Sequence, residues 1–454
     1  MSFIRKIKKK SGIYLAEVET YREGGKVKQK VIKYLGKEVE GKPVKRISTA
    51  EIDKIVVKQH GQIRILKNLT EKLGFEKFIT KEILVLIYSH LVESKLSINK
   101  IEEWVDKTTI LEELKIDRFS TKELYAQLGE FYQANFDIIE KSLIEQFNSY
   151  SRENEGIFID ITDTYFEGGK YLPWKKRKGK DGKYNKLIQI GLAITRKNGF
   201  PIHHKVYEGN VHSSKIFKDM MITLIERGYT SLTILDRGIH SKENIKLTKI
   251  SDSKIIIGLK KDDKLVEYID RIDKEELYSE KYRKKLTKLS VFVKSFPYEE
   301  GRLLIVYNPS FEYVKREMMF EKNEDNEKRI KYAGFSLIYT DTDYDDKEVV
   351  RLYFEKDLIE KAFKLFKGVI SLRPIRVWLK EHIISHVHIC YLAFALLSLL
   401  NYKVKKLNMN GSNALELMEG VFQVKILKKD GTMLWEGLNE VKNVQKEIFN
   451  ICSV

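Results

Sequence analysis

Three regimes of apolar and polar spacing follow one another along the chain. In the first, FIRKIKKKSGIYLAEVETYREGGKVKQKVIKYLGK, two strand-like runs flank Glu23-Gly24-Gly25, a hairpin signal. This predicts a small β unit over residues 1–48. Lysines stand on both sides of it, so a solubilising ribbon and a DNA-backbone contact module fit equally well. From 49 to 150 the apolar period changes to three and four, in IRILKNLTEKLGF, KEILVLIYSHLVES and TKELYAQLGEFYQANFDIIEKSLIEQF, which predicts helices. Ser120-Thr121-Lys122-Glu123 has the form of a capping box, with Ser120 as cap.

At residue 156 the pattern changes again. GIFIDITDTYFEG reads as a strand of apolar and β-branched residues. A glycine- and lysine-rich loop follows. LIQIGLAITRKNGFPIHHKVYEGN then reads as two strands around Asn198-Gly199. SSKIFKDMMITLIERG reads as a helix capped by Ser213 or Ser214, SLTILD as a short buried strand, SKENIKLTKI as a helix and KIIIGL as a strand. The order β-β-β-α-β-α-β matches a ribonuclease-H-like α/β core. Residues 260–334 are charged, with strand-like LTKLSVFVKSF and RLLIVYN, and read as a β-rich insertion. FSLIYTDTD resumes as a strand. The tail from 401 carries a short helix around ALELMEGV and a hairpin around Asp430-Gly431.

Val349 to Ile370 is the most informative stretch. Tyr353, Lys356, Glu360 and Lys367 are separated by steps of three, four and seven, which places them in one narrow arc of a continuous helix. The neighbouring arc is apolar and includes Leu352, Ile359, Phe363 and Phe366. Glu360 is thus expected at the rim of a buried face, flanked by a phenol and two ammonium groups. An ordinary amphipathic helix has the same periodicity.

Composition narrows the class of function. The 454 residues allow two to four domains, and 43% apolar content supports a real core. A net charge of +18 points to a polyanion, first of all nucleic acid. Cys390 and Cys452 are too few for a disulfide framework and fit a reducing compartment. MSFIRKIKKKSG lacks the apolar stretch of a signal peptide. The longest apolar run, Ile389 to Leu400, is too short to span a bilayer. The expectation is a cytoplasmic protein with no membrane partner.

Phosphodiester chemistry needs an activated nucleophile, a stabilised leaving oxygen and neutralised phosphates. Two divalent ions roughly 3.5–4 Å apart serve all three needs, and hard carboxylates at strand ends hold such ions well. Asp160 lies in the first core strand, Asp236 closes SLTILD, and Glu360 comes from the later helix. Gaps of 76 and 124 residues separate the three. The loop from Lys170 to Lys186 holds eight Lys/Arg interleaved with Tyr171, Trp174 and Tyr184, a composition suited to phosphates and exposed bases. Lys175, Lys176, Arg177 and Lys178 are its densest part.

Other constellations are weaker. Asp163 and Glu167 fall on the opposite strand face from Asp160. Asp341 to Asp346 begins like a calcium loop, but Asp346 stands where the loop needs glycine and Leu352 where it needs glutamate. His382 and His386 are four apart, with Ile383 where a zinc protease needs glutamate. With His388 they read as packed or phosphate-facing histidines, and no Cys–Cys or Cys–His spacing suggests zinc.

The 353–367 pattern resembles the Tyr-Arg-Glu-Lys signature of DDE transposases of the insertion sequence 4 type. SLRPIRVW and HIISHVHICYLAFALL after it resemble the insertion sequence 1634 branch. Asp160 with Thr162 resembles the family's first Asp-x-Thr element, and Asp236 with Arg237 and Gly238 its second. Glu208-Gly209-Asn210 resembles a Gly-Asn turn of this branch. The likeness spans roughly 157–400, with weaker likeness in 1–48. Lys356 departs from the family's arginine and loses the planar fork that grips phosphate. No tryptophan stands in 260–334, where some relatives use one to hold a flipped base.

The resemblance implies an α/β enzyme: a ribonuclease-H-like catalytic core with a β-rich insertion, preceded by a small β unit and a helical domain. Its parts would be 1–48 (β unit), 49–150 (helical DNA-binding and dimerisation region), 151–259 (core, first part), 260–334 (insertion), 335–400 (core, second part) and 401–454 (C-terminal region). It also implies Asp160, Asp236 and Glu360 as catalytic metal ligands for two Mg2+ or Mn2+ ions. Tyr353, Lys356, Lys367, Arg237 and Thr162 would serve phosphates, and a homodimer would act on terminal inverted repeats and target DNA. Two rivals are an inactive element remnant that only binds DNA, and a ribonuclease-H-like nuclease that cuts without joining.

Overall fold

A computed structural model describes residues 2–10, 12–39, 42–44, 49–93, 96–151, 156–166, 176–178, 184–229, 232–237, 253–286, 289–321, 330–368, 370, 372 and 375–453. In chain order the strands are β1 (Ser2–Lys9), β2 (Gly12–Glu23), β3 (Lys26–Val39), β4 (Lys42–Val44) and β5 (Lys54–Gln59). Six helices follow: α1 (Gly61–Leu73), α2 (Lys81–Val92), α3 (Ile101–Asp106), α4 (Ile110–Leu114), α5 (Thr121–Phe131) and α6 (Phe136–Tyr150). Next come β6 (Ile157–Tyr165), β7 (Lys176–Lys178), β8 (Tyr184–Thr195), β9 (Pro201–Glu208), α7 (Ser213–Glu226), β10 (Leu232–Leu235) and β11 (Lys254–Leu259). These precede α8 (Asp263–Asp270), α9 (Lys274–Leu277), β12 (Arg283–Lys285), β13 (Ser290–Tyr298), β14 (Gly301–Tyr307), α10 (Pro309–Glu321) and β15 (Phe335–Thr340). The chain ends with α11 (Asp346–Phe354), α12 (Asp357–Lys367), α13 (Lys380–Val404), α14 (Gly411–Glu419), β16 (Phe422–Leu427), β17 (Met433–Leu438) and α15 (Asn443–Cys452).

These elements form two compact units. One comprises Met1–Gln59 and Val421–Val441. Within it β1 to β4 make an antiparallel meander, and β5 pairs with β16, whose other neighbour is β17. The strand at Lys54–Gln59 thus lies inside the stretch whose spacing predicts helices, and the Asp430-Gly431 hairpin supplies its partner. A strand this short is decided by its pairing, which local periodicity does not contain.

The second unit comprises His60–Gly420 and Lys442–Val454 and is mixed α/β. Its ten-stranded sheet runs β12-β13-β14-β15-β11-β10-β6-β8-β7, with β9 also on β8. β6, β10 and β11 are parallel, and β8 runs antiparallel to β6. LTIL in β10 is buried at every position, the signature of a central parallel strand covered on both faces. Strands from the stretch 260–334 extend this sheet. β14 pairs with β15 along its whole length and β13 pairs with β14. Phe292, Leu303 and Ile305 share one hydrophobic core with Ile159, Leu235 and Ile257.

The turn at Asn198-Gly199 forms as the spacing predicts, with Gly199 at φ +66°, where a side chain is strained. The Ser120–Glu123 capping box closes in both directions. Helix α7 is capped one residue earlier than the sequence suggests: the His212 side chain accepts from the Ser214 amide. The SKENIKLTKI helix lies outside the described residues.

Helix α13 is long and apolar enough to cross a membrane on length and composition alone. However, 83% of its apolar window is buried inside the fold, against α1, α2, α5, α14 and β9. Each fully buried leucine there contributes roughly 1.5–3 kcal/mol.

A buried ionic cluster fastens helix α6 to the sheet. Glu140 accepts from His203 Nδ1, His204 Nδ1 and Arg227 Nη1, each at 2.8 Å, and from the His204 amide at 2.9 Å. Arg227 also reaches Asp137 at 2.6 Å, and His204 Nε2 lies 2.8 Å from His388 Nδ1 on α13. Burial opposes ionisation of Glu140, but the His203 and His204 rings hold its carboxyl well below the usual range.

Candidate active site

Asp160 is the fourth residue of β6 and is half-buried. In the parallel β6/β10 ladder the last pair is Leu235 with Ile159. Asp236, one residue beyond, therefore stands level with Asp160 on the neighbouring strand. β10 ends at Leu235, so Asp236 leaves the sheet at a strand terminus, followed by exposed Arg237. Thr162, two residues past Asp160, is buried.

The stretch 349–370 is not one helix. α11 ends at Phe354 and α12 begins at Asp357. Lys356 N bonds to Tyr353 O at 3.2 Å and Leu358 N to Glu355 O at 2.9 Å, three-residue steps that tighten the chain and rotate the second helix. Projecting four side chains onto one uninterrupted arc therefore misplaces them. Tyr353 is buried, Lys356 half-buried and Glu360 exposed. α11 packs on β10 and β11, and α12 on β6. The helix of Glu360 is thus carried on the strand of Asp160.

The break is held from outside. Glu355 accepts from Arg196 at 2.9 Å and also pairs with Arg351, tying the kink to the segment after β8. Arg196, Lys197, Arg351, Glu355 and Leu358 line a cleft there. Nothing in the sequence marks a pair 159 residues apart.

Lys356 Nζ bonds Asp236 Oδ1 at 2.6 Å, lies 3.4 Å from the Tyr353 hydroxyl, and sits 4.8 Å from the centre of the Tyr353 ring. Partial burial opposes ionisation of Asp236, but the Lys356 ammonium outweighs it, and the pKa falls below the ordinary aspartate value. Burial opposes the Lys356 charge too, yet Tyr353 and Asp236 raise its pKa. Burial raises the Tyr353 phenol. Gly258 on β11 makes room for that ring: a Cβ there would lie 2.1 Å from the Tyr353 hydroxyl oxygen.

The remaining sequence-predicted groups are more scattered. Lys367 lies 5.8 Å from the Phe363 ring centre. Lys176, Arg177 and Lys178 form β7, paired with Lys186, Asn185 and Tyr184. Lys175 and Gly238 lie outside the described residues.

Asp160 on β6 and Asp236 just past β10 stand level, and the helix of Glu360 packs against β6. A family model described as "Transposase DDE domain" matches residues 151–396, more than half of the chain. The chain belongs to this family and is a metal-dependent DNA transposase. Within the family it belongs to the IS1634 branch, as a model described as "IS1634 family transposase, N-terminal domain" matches residues 4–58. No curated protein matches it. The chain is similar to the piggyBac transposase in a cryo-EM synaptic complex with hairpin DNA, at 12% identity and a TM-score of 0.40, covering 79% of this chain and 70% of that one. That similarity is too low to bear on the site.

Proposed function

We propose that this chain is the transposase of a bacterial-type insertion sequence. It binds the terminal inverted repeats of its element, cleaves the strands at the ends and joins the freed 3′ hydroxyls to target DNA. The observation that carries the reading is the level placement of Asp160 on β6 and Asp236 just past the end of β10. The order β9-β8-β6-β10-β11, with β8 alone reversed, supports a ribonuclease-H-like core around them. Both ends must be processed together, so the active form is a homodimer, working on DNA in the cytoplasm.

The donor set suits divalent metal. Asp160, Asp236 and Glu360 are hard oxygen donors, and Asp236 already accepts a cationic group, the Lys356 ammonium. The three carboxylates would hold two Mg2+ or Mn2+ ions. Bound there, such ions supply nucleophile activation and charge neutralisation at the scissile phosphate.

The chain's own residues prepare this site. Lys356 keeps Asp236 ionised and fixes its position. The buried Tyr353 ring, seated over Gly258, sets where the Lys356 ammonium can stand. Arg237, exposed beside Asp236, and Lys367 on the helix of Glu360 offer charge to DNA phosphates, as do Lys175 to Lys178. Lys356, as a point charge, neutralises without the bidentate grip of arginine.

The test is a joining assay. A labelled duplex carrying one element end is incubated with the protein, Mg2+ and a supercoiled plasmid. Label covalently joined to plasmid through the 3′ end is the expected product. Cleavage with no joined product would make the protein a nuclease, and binding with neither would make it an inactive remnant.

A further inference from the structure

Outside the carboxylate site, helices α2 and α13 bring together three groups of a different chemistry. His90 lies near the end of α2, and His386 and Cys390 are four residues apart on one face of α13. Their ligand atoms all lie within 4.8 Å of one another. Cys390 Sγ is 3.7 Å from His386 Nε2, and the two imidazoles are 5.2 Å apart at their centres. A tetrahedral zinc ion with ordinary Zn–S and Zn–N bonds sets its sulfur and nitrogen ligands about 3.6 Å apart.

We propose that His90, His386 and Cys390 form a zinc site. Two imidazole nitrogens and a sulfur suit zinc and are poor ligands for the hard ions of the carboxylate site. The second shell is also built. The His90 ring hydrogen-bonds the backbone of Ile370, and the His386 ring that of Leu372. Such ring-to-backbone bonds are how metal-bound histidines are oriented and their tautomer fixed. Both histidines are half-buried and Cys390 is fully buried.

The consequence is mechanical. The ion would join α2 to α13, and through Ile370 and Leu372 would hold the segment just beyond the Glu360 helix. His386 and Cys390, four residues apart, supply only two ligands and do not by themselves suggest zinc in the sequence. The third member lies 296 residues earlier in the chain, which is why no local motif announces the site.

The test uses the full-length protein, expressed with zinc and purified without chelator. Elemental analysis should find about one zinc per chain. Asp236→Asn should retain it, and Cys390→Ser and His386→Asn should lose it. Cobalt-exchanged wild-type protein should show a thiolate-to-cobalt charge-transfer band that persists in Cys452→Ser. The proposal is overturned by wild-type zinc no higher than in Cys390→Ser. If the Cys390 variant does not fold, the wild-type cobalt spectrum decides: a charge-transfer band supports the site and its absence overturns it.

Discussion

The Lys356 ammonium and the Asp236 carboxylate meet at 2.6 Å across 120 residues of sequence, with the Tyr353 ring beneath the ammonium. This pair fixes the charge state of one proposed metal ligand. Asp236 has a depressed pKa, so its carboxylate stays ionised until the pH falls through that lowered value. Removing the ammonium lets the effect of burial, which acts in the opposite direction, weigh more heavily. In Lys356→Met the acidic limb of the cleavage pH profile should therefore move to higher pH. Lys356→Arg keeps the charge and should leave the limb in place. A limb unmoved in Lys356→Met would dissociate the lysine from the ionisation of Asp236.

Gly258→Ala tests how Tyr353 is seated. The new methyl would fall 2.1 Å from the hydroxyl and 2.9 Å from the ring carbon bearing it, and the ring is buried. Overpacking of this kind costs about 1–3 kcal/mol and should lower the melting temperature and cleavage together. Adding Tyr353→Phe removes the nearer clash, so the double variant should recover part of the stability lost by Gly258→Ala alone. Simple additivity of the two changes would show that the ring and Gly258 do not touch.

The strands that carry Asp160 and Asp236 were legible because they rest on local patterning: short buried runs, one interrupted by Asp160 and the other closed by Asp236. The break between α11 and α12 was not. Glu355 and Lys356 both keep right-handed helical backbone angles, and nothing in their composition stops a helix. The kink is held by Arg196, which is remote in sequence. Strands β13 and β14 were visible as strands, but that they extend the main sheet depends on β15 as partner. Glu140, His203, His204 and Arg227 each look ordinary in the sequence and become a cluster only when α6 meets β9 and α7.

That cluster predicts a large stability effect. Glu140→Ala leaves Arg227 and two histidines facing a buried void, and the loss should be about 3–5 kcal/mol. Urea unfolding of wild type and variant measures it, and a difference under ~1 kcal/mol would mean the cluster is dispensable. Burial depresses the pKa of His204 and His388 below the free-histidine value. The unfolded chain then binds more protons than the native one below about pH 6.5, and wild-type stability should fall as pH drops from there.

The net charge of +18 predicts a steep salt dependence of binding to end-containing DNA. Replacing Lys175, Lys176, Arg177 and Lys178 by alanine should weaken binding to all sequences alike. It should also flatten the log–log salt slope by about one for each phosphate that the variant no longer neutralises. An unchanged slope would place these residues away from DNA.

The central claim is that Glu360, exposed on α12, completes the metal site with Asp160 and Asp236. A cleavage assay in Mg2+ on DNA carrying one element end, run beside a gel shift of the same DNA, tests it most directly. Glu360→Gln keeps the size and hydrogen-bonding capacity of the side chain and removes the charge. The expected result is unchanged end binding with cleavage and joining lower by orders of magnitude, as for Asp160→Asn and Asp236→Asn. Full cleavage by the Glu360→Gln protein would contradict the claim.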